Sequence, residues 1–287
     1  MTLDDLRVFV AVCEAGSLSA VARAMSCSQS AVSQHIKRLE REVGLALFER
    51  RPRGVVLTAA GQVLRQAATE GLGGLDAAVR RLAEMGRGEG GTVRITTGAT
   101  SVRHFMSRSI VDFRRRHPDV VLEFQTGQSS RQCMETVRDH GADLAWVTIG
   151  PPIPGVEQRP VLELPWVLAV HVDDPLAART LIRPADLAAI RHIALPEHSI
   201  SRVSLETQLA RWGVRPTASA GVADWDTAFL LAELGICQAI VPALPGTPEQ
   251  VRLVPIAGLP PLTAGWAVRQ WAALSPLAVE FAKTMTE

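Results

Sequence analysis

The sequence predicts an α+β multidomain protein: an N-terminal winged helix-turn-helix, a long linker helix and a C-terminal α/β region. Three observations lead there. Residues 1–58 carry apolar residues at three- and four-residue steps, in short runs stopped by glycine and restarted by serine. Residues 59–86 form the longest helical run. Beyond the flexible GRGEGG at 86–91, short β-prone apolar runs alternate with helical stretches.

In the first helix Leu3, Leu6, Val10 and Cys13, with Phe9 beside them, make one apolar stripe, and Gly16 ends it. Ser17 is the N-cap of a helix from Leu18 to Met25, with Val21, Ala22 and Met25 turned inward. Ser26-Cys27 makes a tight turn and Ser28 caps a third helix, whose Val32, Ile36, Leu39 and Val43 recur at steps of four, three and four before Gly44. Two helices joined by so short a turn make a helix-turn-helix. The segment LFERRPRGVVLT at 47–58 predicts a small basic hairpin, or wing, with Arg50, Arg51 and Arg53 at its tip. In the long helix Leu64, Ala68, Gly71, Leu75, Ala78, Leu82 and Met85 form a heptad seam suited to a partner helix. Strands are then expected at Val93–Thr97, Val120–Gln125, Leu144–Ile149, Val167–Val170, His192–Leu195 and Gln238–Val241. Helices are expected at Phe105–His117, Ser130–His140, Ser201–Trp212 and Thr227–Leu234, crossing over mostly parallel sheets.

Composition narrows the functional classes. Of the 287 residues, 47% are apolar and 21% charged, enough for sizeable cores. The 30 basic and 29 acidic side chains leave a net charge of +1, so any nucleic-acid surface must be local. Lys37 and Lys283 are the lysines, and arginine supplies the remaining cations. There is no apolar stretch of membrane-spanning length, and acids at Asp4 and Asp5 stand where a signal peptide needs cations, so the expected location is the cytoplasm. Cys13, Cys27, Cys133 and Cys237 lie far apart without a CxxC pair, which predicts reduced thiols and neither a zinc site nor a disulfide framework. His35 and His104 have no neighbouring Cys or Asp in a nucleophile arrangement, and no GxSxG, HExxH or phosphate-loop motif occurs. No catalysis, cofactor or metal is therefore expected.

With Val32, Ile36, Leu39 and Val43 facing inward, the third helix presents Gln29, Ser30, Ser33, Gln34 and Lys37 on its other face. Glutamine pairs bidentately with adenine, lysine reaches guanine, and serine serves as donor or acceptor in the major groove. From Ser33 to Arg53 six cations face three acids. Arg38, Arg50 and Arg53 suit phosphates, which position a protein on DNA without reading sequence.

Across SLSAVARAMSCSQSAVSQHIKRLEREVGLALFERRPRGVVLTAAG, the residues Ala22, Gln29, Ser33, Ile36, Leu39-Glu40, Gly44, Leu47-Phe48, Arg50 and Leu57 to Gly61 stand without a gap at the spacing of one family. The chain resembles the LysR-type transcriptional regulators of bacteria, departing at Ser30, where the family has proline, and at Leu18, where it often has phenylalanine. RRRHPDVVLEF, GADLAW, DDPLA and LLAELGICQAIVP look like the same family's effector region. The resemblance implies two α/β lobes like those of periplasmic binding proteins, crossed twice by the chain near Val161–Pro165 and Thr263–Trp266. The domains would then be 1–58, 59–86 and 90–287, with lobe I at about 90–161 and 266–287 and lobe II at about 162–265. It further implies double-stranded promoter DNA as partner, a homodimer through the linker helix, often a homotetramer, and RNA polymerase as partner of an activator.

A ligand of such a region belongs beyond the carboxyl ends of strands and near helix N-termini. Thr100 and Ser101 follow the first strand, Ser129 the second, and Thr148 the third; by resemblance Ser199, Ser201, Arg202 and Trp225 face them from the other lobe. The hydroxyls and N–H groups favour a small anionic organic effector. Arg202 has two candidate partners, the effector's carboxylate or Glu206 at helical spacing, and Trp225 either stacks on the ligand or packs in the lobe. A free-standing solute-binding protein would leave the first 86 residues unexplained, and with Cys237 the lone cysteine of the second lobe a disulfide switch is not expected.

Overall fold

The computed structural model describes residues 1–51, 54–87, 91–127, 129–195 and 199–285, without the side chains of 80, 81, 84–87 and 189. The chain divides into two compact units, Met1–Gly86 and Arg87–Glu287.

In the first unit, helices α1 (Leu3–Ala15), α2 (Leu18–Ala24) and α3 (Gln29–Val43) are followed by the hairpin β1 (Phe48–Arg51) and β2 (Gly54–Leu57) and by α4 (Ala59–Arg87). Each start has its cap. Thr2 and Asp5 form a capping box on α1, and Ser17 and Ser28 accept from Ala20 and Ala31 N–H. Gly16 and Gly44 close α1 and α3 in the left-handed conformation. The core joins Val8, Phe9 and Val12 to Val21, Ala22, Val32, Ile36 and Leu39, with Leu47 and Ala68. The buried stripe of α1 is thus Asp5, Val8, Phe9 and Val12, one position round from the expected one; Leu3 is exposed, and Leu6, Val10 and Cys13 are half-buried. Met25 and Val43, expected inside, are exposed because each stands at a helix end beyond its last packed turn. In the hairpin, Gly54 has φ +136°, and a Cβ there would lie 2.3 Å from the Gly16 carbonyl oxygen, so this close approach requires glycine. Beside it, Val55 N–H donates to that same carbonyl at 3.0 Å. On α4, Ala68 and Leu72 are buried, whereas Leu75, Val79 and Leu82 are 48%, 64% and 66% exposed. The side chain of Met85, the last seam position, lies outside the described residues.

The second unit holds three sheets among the described residues. Strands β3 (Thr92–Thr97), β4 (Val121–Thr126), β5 (Leu144–Thr148), β6 (Glu157–Leu164) and β12 (Leu262–Val268) order as β4-β3-β5-β12-β6. β7 (Trp166–His171), β10 (Ala239–Pro242) and β11 (Val251–Pro255) order as β10-β7-β11, and β8 (Arg191–Ala194) pairs with β9 (Thr217–Gly221). Ala99–Ser101 (α5), a π-helical turn Val102–Met106 and α6 (Ser107–Arg116) follow β3. The other α-helices are α7 (Ser130–Arg138), α8 (Ile200–Arg211), α9 (Trp225–Glu233) and α10 (Pro276–Lys283). Trp146, Trp266, Phe113 and Phe281 centre the first lobe, with Trp266 edge-on to Trp146 at 5.0 Å.

Among the named strands β3 pairs parallel with β4 and β5, and β8 with β9; β7 pairs antiparallel with β10 and β11, and β12 antiparallel with β5 and β6. The expectation of mostly parallel sheets fails because β6, β11 and β12, which escape the apolar-run pattern, all pair antiparallel, as do the expected strands β7 and β10. β6 tolerates Pro160 because it is an edge strand, and β12 carries a bulge at Ala264/Gly265. The chain crosses at Pro165, between β6 and β7, and returns between β11 and β12 at 256–261, a few residues before Thr263–Trp266.

No helix among the described residues is long and apolar enough to cross a membrane. All four cysteines are free; burial pushes the Cys13 thiol up to about 11 and raises those of Cys133 and Cys237, while Cys27 is exposed. On β8, burial lowers the His192 pKa to about 4 from 6.5, with Glu206 opposing and Arg202 adding to the effect. A histidine depressed in the fold favours the folded state fully only above its unfolded pKa. Stability of the second unit should therefore fall by about 3 kcal/mol as pH drops from 6.5 to 4. Urea unfolding of the wild type and His192→Gln across that range checks this, the variant losing the slope.

Candidate functional site

The polar face of α3 is held by a buried carboxylate. Asp5 is 0% exposed and accepts from Thr2 N–H at 2.8 Å and from His35 Nδ1 at 2.7 Å, with Arg38 Nε 3.4 Å away. A carboxylate only accepts, so His35 Nδ1 carries the proton. Burial alone would raise the Asp5 pKa; the hydrogen bonds from His35 and Thr2 and the Arg38 charge outweigh it and hold the carboxyl below its usual range. On the helix's other side Glu40 Oε1 accepts from Leu47 N–H at 2.9 Å, tying α3 to the start of the wing.

With Val32, Ile36 and Leu39 packed inside, Gln29, Ser30, Gln34, Lys37 and Arg38 are exposed and Ser33 is half-buried. Gln29 Oε1 accepts from Ser19 Oγ at 3.1 Å, and Ser30 Oγ lies 2.8 Å from Ser28 Oγ. Arg50 is exposed on β1, and Arg53 lies outside the described residues. Sequence reading missed Asp5 and treated His35 as lone; the Thr2-x-x-Asp5 capping-box spacing was the available signal. Replacing Asp5 by Ala should cost the first unit about 2–3 kcal/mol in urea unfolding. Because its folded pKa is depressed, that contribution is present above the ordinary aspartate value of 3.8 and is lost as pH falls below it; the variant's pH dependence should be correspondingly flatter.

In the second unit the ends of β3 and β5 meet the N-termini of α7 and α8. Ser129 caps α7, accepting from Gln132 N–H, and Ser199 caps α8, accepting from Arg202 N–H. Thr148 N–H donates to Ser130 Oγ at 3.1 Å, and Thr148 Oγ1 lies 3.4 Å from Ser201 Oγ, so one hydroxyl pair spans the two lobes. Ser201 is buried. Thr100 is buried too, and its Oγ1 has no partner among the described residues; Ser101 beside it is half-buried. Ser130 was not singled out from sequence, since the adjacent Ser129 carried the capping signal.

Two of the residues expected at the effector have partners within the chain. Arg202 Nε donates to Glu206 at 2.6 Å and Nη1 to the Leu195 carbonyl at 2.6 Å, so of its candidate partners the helical one holds it. Trp225 packs against Trp166 with ring centroids 6.1 Å apart. His104 also acquires a partner that its sequence neighbourhood did not offer. Nε2 meets Asp226 Oδ1 at 2.7 Å and Nδ1 meets the Pro245 carbonyl at 2.6 Å, both contacts reaching residues of the second lobe. No group of three His, Cys, Asp or Glu suited to a metal occurs among the described residues.

Comparison with known proteins follows the same division. Residues 3–62 match the bacterial regulatory helix-turn-helix protein model of the lysR family, and residues 86–287 match the LysR substrate binding domain. The HTH-type transcriptional regulator YfeR of Shigella flexneri is 30% identical over 85% of this chain and 79% of its own. YbhD of Escherichia coli K12, another HTH-type transcriptional regulator, is 28% identical over 97% of this chain and 89% of its own. The solved structure of full-length CbnR complexed with its target DNA shares the fold, with a TM-score of 0.68 over 99% of both chains at 22% identity. Helix-turn-helix, wing and two-lobed second unit together agree with these matches: the chain belongs to the LysR family of DNA-binding transcriptional regulators, joining a helix-turn-helix domain to an effector-binding domain.

Proposed function

We propose that this chain reads promoter DNA with the exposed edge of α3 and is governed by a small anionic organic molecule between the lobes of its second unit. The observation that carries the reading is the division of α3 itself. Its apolar residues are consumed by the core, while Gln29, Ser30, Gln34 and Lys37 stay exposed at the helix's N-terminal half, the part that enters the major groove in helix-turn-helix proteins. Ser33 completes that edge, and Arg38, Arg50 and Arg53 contact phosphates. Arg38 does so from a guanidinium already steadied by Asp5.

The effector reading rests on hydroxyls and helix N-termini gathered between the lobes. Thr100, Ser101, Ser129, Thr148, Ser199 and Ser201 offer donors without a fixed cation, which suits a carboxylate held by neutral groups. Thr100 supports it most directly, being buried with an unsatisfied hydroxyl. Arg202 and Trp225 take supporting parts, the one steadying α8 through Glu206 and the other packing beneath the lobe's surface. The functional domains we assign are 1–58 for DNA, 59–86 for pairing and 90–287 for the effector. The apolar stripe Leu75, Val79 and Leu82 on α4 supports a homodimer through that helix, which would present two reading heads to paired half-sites. Higher assembly to a tetramer, action on RNA polymerase and a cytoplasmic setting complete the reading.

Binding titrations on promoter fragments test the DNA half. Gln29→Ala or Ser33→Ala should weaken operator binding roughly tenfold and leave binding to unrelated DNA unchanged. Arg50→Ala should weaken both and flatten the slope of log K against log salt by about one. Unchanged operator discrimination in Gln29→Ala would remove it as a reader. For the effector half, thermal melts of the full chain with small organic acids should give an upward shift that Thr100→Val and Ser201→Ala abolish.

A further inference from the structure

A cavity of about 340 Å³ is lined by none of the eight residues assigned to the effector. Its volume falls within the roughly 300–1,000 Å³ of small-molecule sites. Arg103 and His104 of the π-helical turn form one side, one face of α9 forms another, and the Leu244–Pro248 segment closes it. Of its four titratable side chains two are joined to each other: His104 meets Asp226 at 2.7 Å and is anchored on the Pro245 carbonyl at 2.6 Å. The other two, Arg103 and Glu233, have no ion-pair partner among the described residues and are not joined to each other.

The spacing of these charges constrains what fits. Asp226, Phe229, Leu230 and Glu233 stand at i, i+3, i+4 and i+7 on α9, so the face facing the cavity runs for two turns, about 10 Å. Arg103 adjoins His104, whose ring meets Asp226 on the first turn of α9, and Glu233 stands two turns further along that helix. Phe229 and Leu230 lie between them. A simple carboxylate on Arg103 would extend toward an unpaired Glu233, and a simple amine on Glu233 would leave Arg103 unmet. An α-amino acid holds its two charges too close together to reach both ends. We propose that this cavity is a second ligand site, for an elongated dipolar molecule of the ω-amino carboxylate class. Its carboxylate sits on Arg103, its aliphatic chain on Phe229 and Leu230, and its ammonium on Glu233. Since the walls come from both lobes, occupancy adds a link between them beside the His104–Asp226 pair.

Isothermal titration of the full chain with 6-aminohexanoate tests the proposal, with hexanoate and hexylamine as probes lacking one end each. The dipolar probe should bind at least roughly tenfold more tightly than either comparator. Arg103→Gln and Glu233→Gln should each weaken it by about that factor with unfolding temperatures unchanged, while Ser201→Ala leaves it intact. Equal binding of the three probes, or no heat and no thermal shift up to roughly 10 mM, overturns the proposal. So does a loss produced by Ser201→Ala instead of the two charge variants, which would assign the ligand to the hydroxyl region.

Discussion

The arrangement of the first unit depends on one buried charge. A carboxylate with no exposed surface is costly unless fully partnered, and Asp5 meets that demand from the start of α1 and from α3 at once. The same group that completes the α1 capping box therefore fixes the rotation of α3 about its axis. That rotation decides which residues enter the core and which face outward. Turned by one position, Gln29 and Gln34 would lose their exposed place and Val32, Ile36 and Leu39 their cover. Glu40 adds the second restraint by receiving the backbone N–H groups of Leu47 and Phe48, which ties α3 to the start of the hairpin.

The second unit solves a different problem, holding two lobes together while leaving room between them. Its chain crosses at Pro165 and returns before Leu262, and Leu164 and Leu262 are paired across adjacent strands. Beyond these crossings, contact between the lobes is both apolar and polar: Phe105 packs on the second lobe's core and Ile200 on the first lobe's, beside the Thr148–Ser201 hydroxyl pair and the His104 bonds to Asp226 and Pro245. On the function proposed above, a ligand that exchanged hydrogen bonds with these groups would change the relative stability of lobe arrangements, and whatever it did to DNA affinity DNA would do equally to its own.

Much of this was legible in the chain. Short helices with serine caps and glycine stops, the heptad steps of α4 and the glycine-rich boundary are local signals, and local signals survive in sequence. Strands buried on both faces, such as Leu144–Thr148, announce themselves as apolar runs. Strands β6, β9, β11 and β12 did not, because an edge proline, a run of Ala and Ser, and a bulge at Gly265 dilute the pattern. The candidate readers on α3 followed from periodicity, but their anchor did not: nothing in the spacing of Asp5 and His35 reveals that tertiary packing brings them to 2.7 Å. For the same reason Arg202, Trp225 and His104 looked available or solitary until their partners Glu206, Trp166 and Asp226 were seen. Polar pairs distant in sequence are made by the fold and leave no local trace.

We propose that side chains on α3, set by Asp5, read bases rather than merely rest on the backbone. Selection of preferred sites from a random DNA pool by the wild type and by Gln34→Arg separates the two. The same overall site is expected from both, with a changed base preference at one or two positions in each half, guanine replacing the original base. An unchanged preference at every position, with affinity shifted uniformly, would contradict it.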